Sequence, residues 1–350
     1  MQLNYNDSKN YIEVPSSHLY HKLRETVSRG EFKKENEDRW YQADMNGKLL
    51  ESKVYIMPDK DVLINNDSAL NEIQEEMSNK VLELSKRGDL AADVLDIITA
   101  KWLNEVSHAD AMIDITADDF LRERGLFKIV SGSGRRGGYT EKQKKAIQNQ
   151  IDALSHTWIK ASEMEVITES RGKREKMTCR RESSAIVLSS RISEVRKDGS
   201  TEAFVWRVRP GDIFAEYLFG PGRQTALMSK KALYYDPYRQ KWEKRLARYF
   251  AWLWRINISR TKEGLLVKTL IQAIGMDFNE KKPSVTLKRL EKALNLLKAD
   301  GVITAWDYEK ERFSVSEYNW CKKWQESKII ISAPGEVIEQ YNKISNKSNQ

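Results

Sequence analysis

The residues of this 350-residue chain that could do covalent or metal chemistry are few and badly spaced. Its histidines are His18, His21, His108 and His156, and none forms the HxH pair that a metal-dependent rolling-circle nickase needs beside its tyrosine. His21 and Arg24 have the HxxR spacing of tyrosine recombinases, but they stand near the start with no matching partners. The glycine-rich stretch Gly132–Gly138 lacks the lysine and the following Ser/Thr of a phosphate-binding loop. Asp118 and Asp119 are adjacent and could seat a metal. Their place at a predicted helix start suits capping and a favourable interaction with the helix dipole instead. Cys179 and Cys321 lie far apart, and neither has a CxxC partner, so reduced thiols in a cytosolic protein are expected. The expectation is a protein without catalytic residues, cofactor or metal.

Cationic side chains are the chemistry the chain does have. There are 59 Lys and Arg against 51 Asp and Glu, a formal net charge of +8. The excess is concentrated. Between Leu121 and Glu182, 15 basic residues face 8 acidic ones; between Arg223 and Lys298, 18 face 6. The remainder is net acidic. Basic charge gathered in two windows is the footprint of phosphate binding. In the second window the candidate DNA-binding residues are Lys281, Lys282, Ser284, Thr286, Lys288, Arg289 and Lys292. In the first they are Arg135, Arg136, Lys142, Lys145 and Asn149, with Arg171, Lys173 and Arg174 on a basic hairpin tip. Lysine and arginine can donate to guanine edges or phosphate, and hydroxyls near a helix N-terminus suit phosphate.

Positioning them requires particular elements. Residues 276–308 read as a loop, a helix capped by Ser284, a stop at Gly301 and a strand at Val302–Trp306. Leu287, Leu290, Leu294 and Leu297 share one face of that helix, while Val285, Lys288, Lys292 and Asn295 face away. A helix over Glu263–Ile274, closed by Gly275, precedes it, and Phe313–Val315 supplies a further strand. This is the order of a winged helix-turn-helix.

The first window repeats the order loosely. Asp89 can cap a helix reaching Glu105. A strand at Met112–Ile115 leads to a short helix capped by Thr116 and ended by Gly125. The next helix, Thr140–Leu154, opens with the Thr140/Gln143 spacing of a capping box. Met164–Thr168 and Ala185–Ser189 then read as a hairpin whose tip is Glu169–Arg181. A long helix, Pro237–Ile256, joins the two motifs; its aromatic stripe reads as core. The predicted fold is α+β: two tandem winged helix-turn-helix domains joined by that helix. The expected boundaries are a poorly defined leader over 1–80, domains over 81–222 and 223–340, and a frayed tail over 341–350. No apolar run approaches the roughly 20 residues of a membrane helix.

In this order and spacing, over residues 80–340, the chain resembles the theta-type plasmid replication initiators built from two winged-helix domains. The resemblance implies a bacterial, cytoplasmic protein that binds direct repeats in double-stranded DNA at an origin and helps to open it. It also implies host replication proteins as partners and a dimer as one of its states. A transcriptional regulator of a mobile element, using the same domains, is the alternative; a scaffold meeting acidic protein is a third.

Overall fold

The computed structural model describes residues 10–34, 39–45, 52–58, 70–86, 88–130, 138–170, 173–195, 201–219, 225–309 and 318–348. The fold is mixed α+β, with small sheets. The chain divides into two compact units. One holds residues 13–225. The other runs from 226 onward and takes in the described residues of Asn6–Ile12. Strand β1 (Tyr11–Pro15) opens the described chain.

In the first unit, α1 (His18–Arg29) starts at Ser17, whose hydroxyl accepts from the Tyr20 amide at 3.2 Å. It ends at Gly30, left-handed at φ +63°. A Cβ there would lie 2.6 Å from the Ser85 backbone on α2 (Leu70–Lys86), so only glycine fits. Helix α3 (Leu90–Glu105) is the centre of the unit, buried from Leu90 through Ala100. Its aspartates are buried with it. Arg24 donates to Asp96 at 3.0 Å, Tyr20 to the same carboxylate at 3.2 Å, and Arg124 to Asp93 at 3.0 Å. Asp89, expected from sequence to cap α3, makes no side-chain capping bond to it. Its backbone, at φ −80° and ψ 14°, lacks the extended geometry that side-chain capping needs.

Helix α1, within the expected leader, is part of this core. Tyr20, Leu23 and Val27 of α1 are at most 1% exposed. The His21–Arg24 pair is buried here too, and serves the interior. Strands β2 (Tyr41–Asp44) and β3 (Ser52–Ile56) continue the first unit.

Strand β4 (Ile113–Thr116) leads into α4 (Ala117–Glu123), and α5 (Glu141–Ser155) follows. Then come β5 (Thr157–Ser170), β6 (Lys173–Ser184), β7 (Ile186–Val195), β8 (Thr201–Pro210) and α6 (Asp212–Phe219). Two antiparallel sheets form, in orders β2-β3-β5-β6 and β4-β8-β7. The expected pairing of Met164–Thr168 with Ala185–Ser189 is not found. Met164 is level with Cys179 and Thr168 with Glu175, so the described residues of the basic stretch expected as a tip are themselves strand. The turn at Ala185 and the backbone bonds of β7 send the 186–195 run to β8 instead.

The second unit contains β9 (Thr225–Ser229), α7 (Lys231–Tyr234) and α8 (Lys241–Ile256). The Asn10 carbonyl accepts from the Lys230 amide at 2.8 Å, tying the early segment into this unit. Helix α8 starts four residues later than expected. Asp236, held before a proline and so biased away from helix, turns the chain by accepting from the Tyr238 and Arg239 amides at 2.9 and 2.8 Å. Helix α8 does not join the units; it lies inside the second. Its face of Trp242, Leu246, Phe250 and Trp254 is buried there, as the core reading of those aromatics requires. Lys244 is fully buried and donates to the Ala232 and Leu233 carbonyls at the end of α7, at 2.7 and 3.2 Å.

A 3₁₀ turn at Ile258–Thr261 and β10 (Leu265–Leu266) precede α9 (Val267–Ala273). Then come α10 (Pro283–Ala299), β11 (Ala305–Tyr308), α11 (Trp320–Glu326), β12 (Lys328–Ser332) and α12 (Gly335–Ser348). The sheet order is β10-β12-β11. The expected Glu263–Ile274 helix loses its first turn because Leu265 and Leu266 pair with Ile329 and Lys328 of β12. Val302 and Ile303, expected in the first wing strand, close α10 instead: the Val302 amide donates to the Leu297 carbonyl at 2.9 Å. The expected strand at Phe313–Val315 lies outside the described residues.

Candidate nucleic-acid interface

The same local assembly is built once in each unit. A strand enters a seven-residue helix: β4 enters α4, and β10 enters α9. Each short helix ends on a left-handed glycine, Gly125 at φ +70° and Gly275 at φ +61°. Each is closed by the same backbone bonds. Gly125 donates to Arg122 and Leu126 to Leu121; Gly275 donates to Gln272 and Met276 to Ile271, all at 2.8–3.2 Å. This six-to-one closure satisfies carbonyls that the helix end would otherwise strand. A longer helix follows, α5 of 15 residues and α10 of 17.

In the second unit the turn between α9 and α10 is pinned from both sides. Arg245 of α8 donates to the Ile274 and Gly275 carbonyls at 3.3 and 2.9 Å. The Asn279 amide donates to the Thr286 hydroxyl at 3.1 Å, and the Lys282 amide to the Asn279 side chain at 2.9 Å. Thr286 is therefore 4% exposed and holds the turn. Ser284 does not cap α10. The helix begins at Pro283, with Lys282 at the cap position, because proline's fixed φ suits the first helical residue. Leu290, Ala293, Leu294 and Leu297 are buried, with Leu287 at their margin. Lys281, Lys282, Lys288 and Lys292 are exposed.

Arg289 has a different role. Its guanidinium grips the Glu243 carboxylate of α8 through two bonds of 2.7 Å, donates to the Arg239 carbonyl at 3.2 Å and lies 6.0 Å from the Trp242 ring centre. Glu243 is 1% exposed. The pair clamps α10 to α8, so Arg289 sets the angle at which the lysines are presented. Beyond α10, Trp306 donates to Asn295 at 3.0 Å and Tyr308 to Glu291 at 3.2 Å, which docks β11 on the helix.

In the first unit, Thr116 and Asp119 form a reciprocal cap on α4. Burial pushes the Asp119 carboxyl up, but the bonds from Thr116 and Arg122 outweigh it and hold it below the usual range. Asp118 meets Lys128 at 3.0 Å. Thr140 and Gln143 form the expected box on α5. Lys142 and Lys145 are exposed, Lys145 reaching Gln148 at 3.4 Å. Asn149, a candidate for DNA contact, and Asp152 turn instead toward α2. Asn149 donates to the Glu83 carboxylate at 3.0 Å, and its neighbour Gln150 to the Glu83 carbonyl at 2.9 Å. Asp152 sits between Lys80 and Arg191. Burial raises its carboxyl, but the Lys80 bond and the two cations prevail and hold it below the ordinary value. The sequence pattern of α5 concealed this because α2 covers the helix from the far side. Lys173 and Arg174 fall in β6. Arg135, Arg136 and Arg171 lie outside the described residues.

Among the described residues, no group of three or more His, Cys, Asp or Glu could hold a metal ion. No helix among them is long and apolar enough to cross a membrane.

No family model matches the chain, and no curated protein matches it. Among solved structures it is similar to domains 2 and 3 of RctB, seen in a selenomethionine derivative. The identity is 12% and the TM-score 0.41, over 84% of this chain and 95% of that one. A second structure of RctB domains 2–3 aligns at 12% identity and TM-score 0.36, over 77% and 83%. Scores of this size do not establish a common fold.

Proposed function

We propose that this chain is a sequence-specific double-stranded DNA-binding protein with two winged helix-turn-helix heads. Within that class, we assign it to replication initiators that engage repeated sites at a plasmid origin. The observation that carries the reading is the assembly built twice: strand, short helix, glycine closure, then a longer helix with exposed lysines. In such a unit the longer helix enters the major groove and its outward side chains reach base edges or phosphates. Lys288 and Lys292 are one turn apart on the exposed face of α10, with Lys281 and Lys282 at its start. On α5, Lys142 and Lys145 are exposed near the start of the helix. The partners that follow are duplex DNA in direct repeats, host replication proteins and a second copy of the chain in one state.

The test is selection of bound sequences from random duplex DNA, followed by footprinting on the plasmid or element that carries the gene. Several direct repeats beside an AT-rich tract are expected. One palindrome at a promoter would replace the initiator with a transcriptional regulator. Binding that ignores salt would remove DNA altogether and favour a protein scaffold.

A further inference from the structure

Among the most exposed apolar side chains of the described residues are two in the segment that follows α4. Phe127 is 93% exposed and Val130 88%. Their backbone is anchored on both sides. The Leu126 amide donates to the Leu121 carbonyl, and the Tyr139 hydroxyl donates to the Leu126 carbonyl, both at 3.0 Å. Ile129 and Gly138 exchange two backbone bonds of 2.9 Å. Lys128 meets Asp118 at 3.0 Å and lies 5.6 Å from the Tyr139 ring centre. A fixed backbone thus presents an aromatic ring and a valine to solvent just ahead of α5. Leaving them there forfeits the gain from burying apolar surface, and an exposed apolar patch of this kind marks a contact site.

Charge selects the occupant. Lys142 and Lys145 are exposed on the first turns of α5. Lys128 meets Asp118 and Lys144 meets Glu141, which leaves Lys142 and Lys145 as the exposed cations beside the patch. The fitting partner is a polyanion that also offers flat apolar faces. A nucleic acid with a displaced base has both.

Resting on the DNA-binding reading above, we propose that Phe127 stacks on a DNA base separated from its neighbour. Val130 packs beside it, and Lys142 and Lys145 hold the flanking phosphates. Apolar wedges of this kind part base steps, and an aromatic face accepts any base. This contact opens the duplex, while α5 and α10 choose the site.

The test uses the full chain and a duplex it has selected from random DNA. Thymine reactivity toward permanganate reports unstacking. The wild type is expected to make thymines at one position reactive. Phe127→Ala, alone or with Val130→Ser, should keep the footprint and the thermal unfolding midpoint, lose that reactivity, and bind about tenfold more weakly. Phe127→Trp should retain it. Unstacking absent from the wild type, or equal in wild type and alanine variant, overturns the proposal. So does a DNA-free wild-type dimer that Phe127→Ala converts to monomer, because the patch is then a self-contact. A wild type that selects no duplex fails at the earlier step and sinks the DNA reading with it.

Discussion

At the scale of single residues, adjacent cations on α10 divide between holding and reaching. Arg289 faces a carboxylate that is almost fully buried, and Lys288 faces solvent. Removing one partner of a buried pair leaves an uncompensated charge. Arg289→Ala is therefore expected to lower unfolding free energy in urea by about 2–4 kcal/mol. Lys288→Ala should leave stability within about 0.5 kcal/mol, as surface changes do, while weakening DNA binding. Equal stability losses from the two would refute the division. Asp152 offers a second residue-scale test. Its carboxyl is held below the ordinary 3.8 by Lys80 and Arg191, so its folded form favours the charged state. The stability it contributes is complete above that value and is lost as pH falls through the depressed folded one. Asp152→Asn should therefore flatten the decline of stability below about pH 4 in acid titrations followed by circular dichroism. An unchanged acid limb would mean the pair adds nothing.

At the scale of elements, local rules carried most of what could be read from the chain. The Thr116 and Thr140 starts, the Gly125, Gly275 and Gly301 stops and the leucine face of α10 all depend on residues within a few positions of one another. What could not be read depends on distant partners. Nothing near Leu265 announces Ile329, and nothing near Asn149 announces Glu83. The same limit applied to the candidate interface. The exposed lysines follow from helical periodicity, whereas the capture of Arg289 by Glu243 needs the packing of α8 on α10. Phe127 gives no sequence signal either, because a single aromatic between a helix stop and a glycine-rich stretch has no periodicity. Close backbone approach is equally hidden. At Gly211 a Cβ would lie 1.7 Å from the Ser184 carbonyl oxygen. Backbone cannot yield as a flexible side chain does, so Gly211→Ala is expected to destabilise the first unit by about 3 kcal/mol. By comparison Thr140→Ala, which deletes one cap, should cost about 1 kcal/mol. Chemical denaturation of the two variants gives the order; a reversed order would mean the loop around Gly211 relaxes freely.

At the scale of the whole molecule, charge follows the two assemblies more closely than it follows the chain. The formal +8 conceals two strongly basic windows in an otherwise acidic protein. Binding through such windows releases counterions in proportion to the phosphates neutralised. Lys288→Ala with Lys292→Ala should reduce the slope of log affinity against log salt by about two if both lysines sit on phosphates. An unchanged slope with relaxed sequence choice would place them on base edges. The second unit has one further property. Its members include residues at both ends of the described chain: the Asn10 carbonyl accepts from the Lys230 amide, and burial, with the Glu336 charge beside it, pushes the Tyr11 hydroxyl up to about 12. During synthesis the residues around Asn10 precede the whole of the first unit, and their partners follow it. The first unit can therefore close before the second has its parts. Products stalled between the two would carry one finished unit and one stranded strand, a species open to edge pairing with its neighbours.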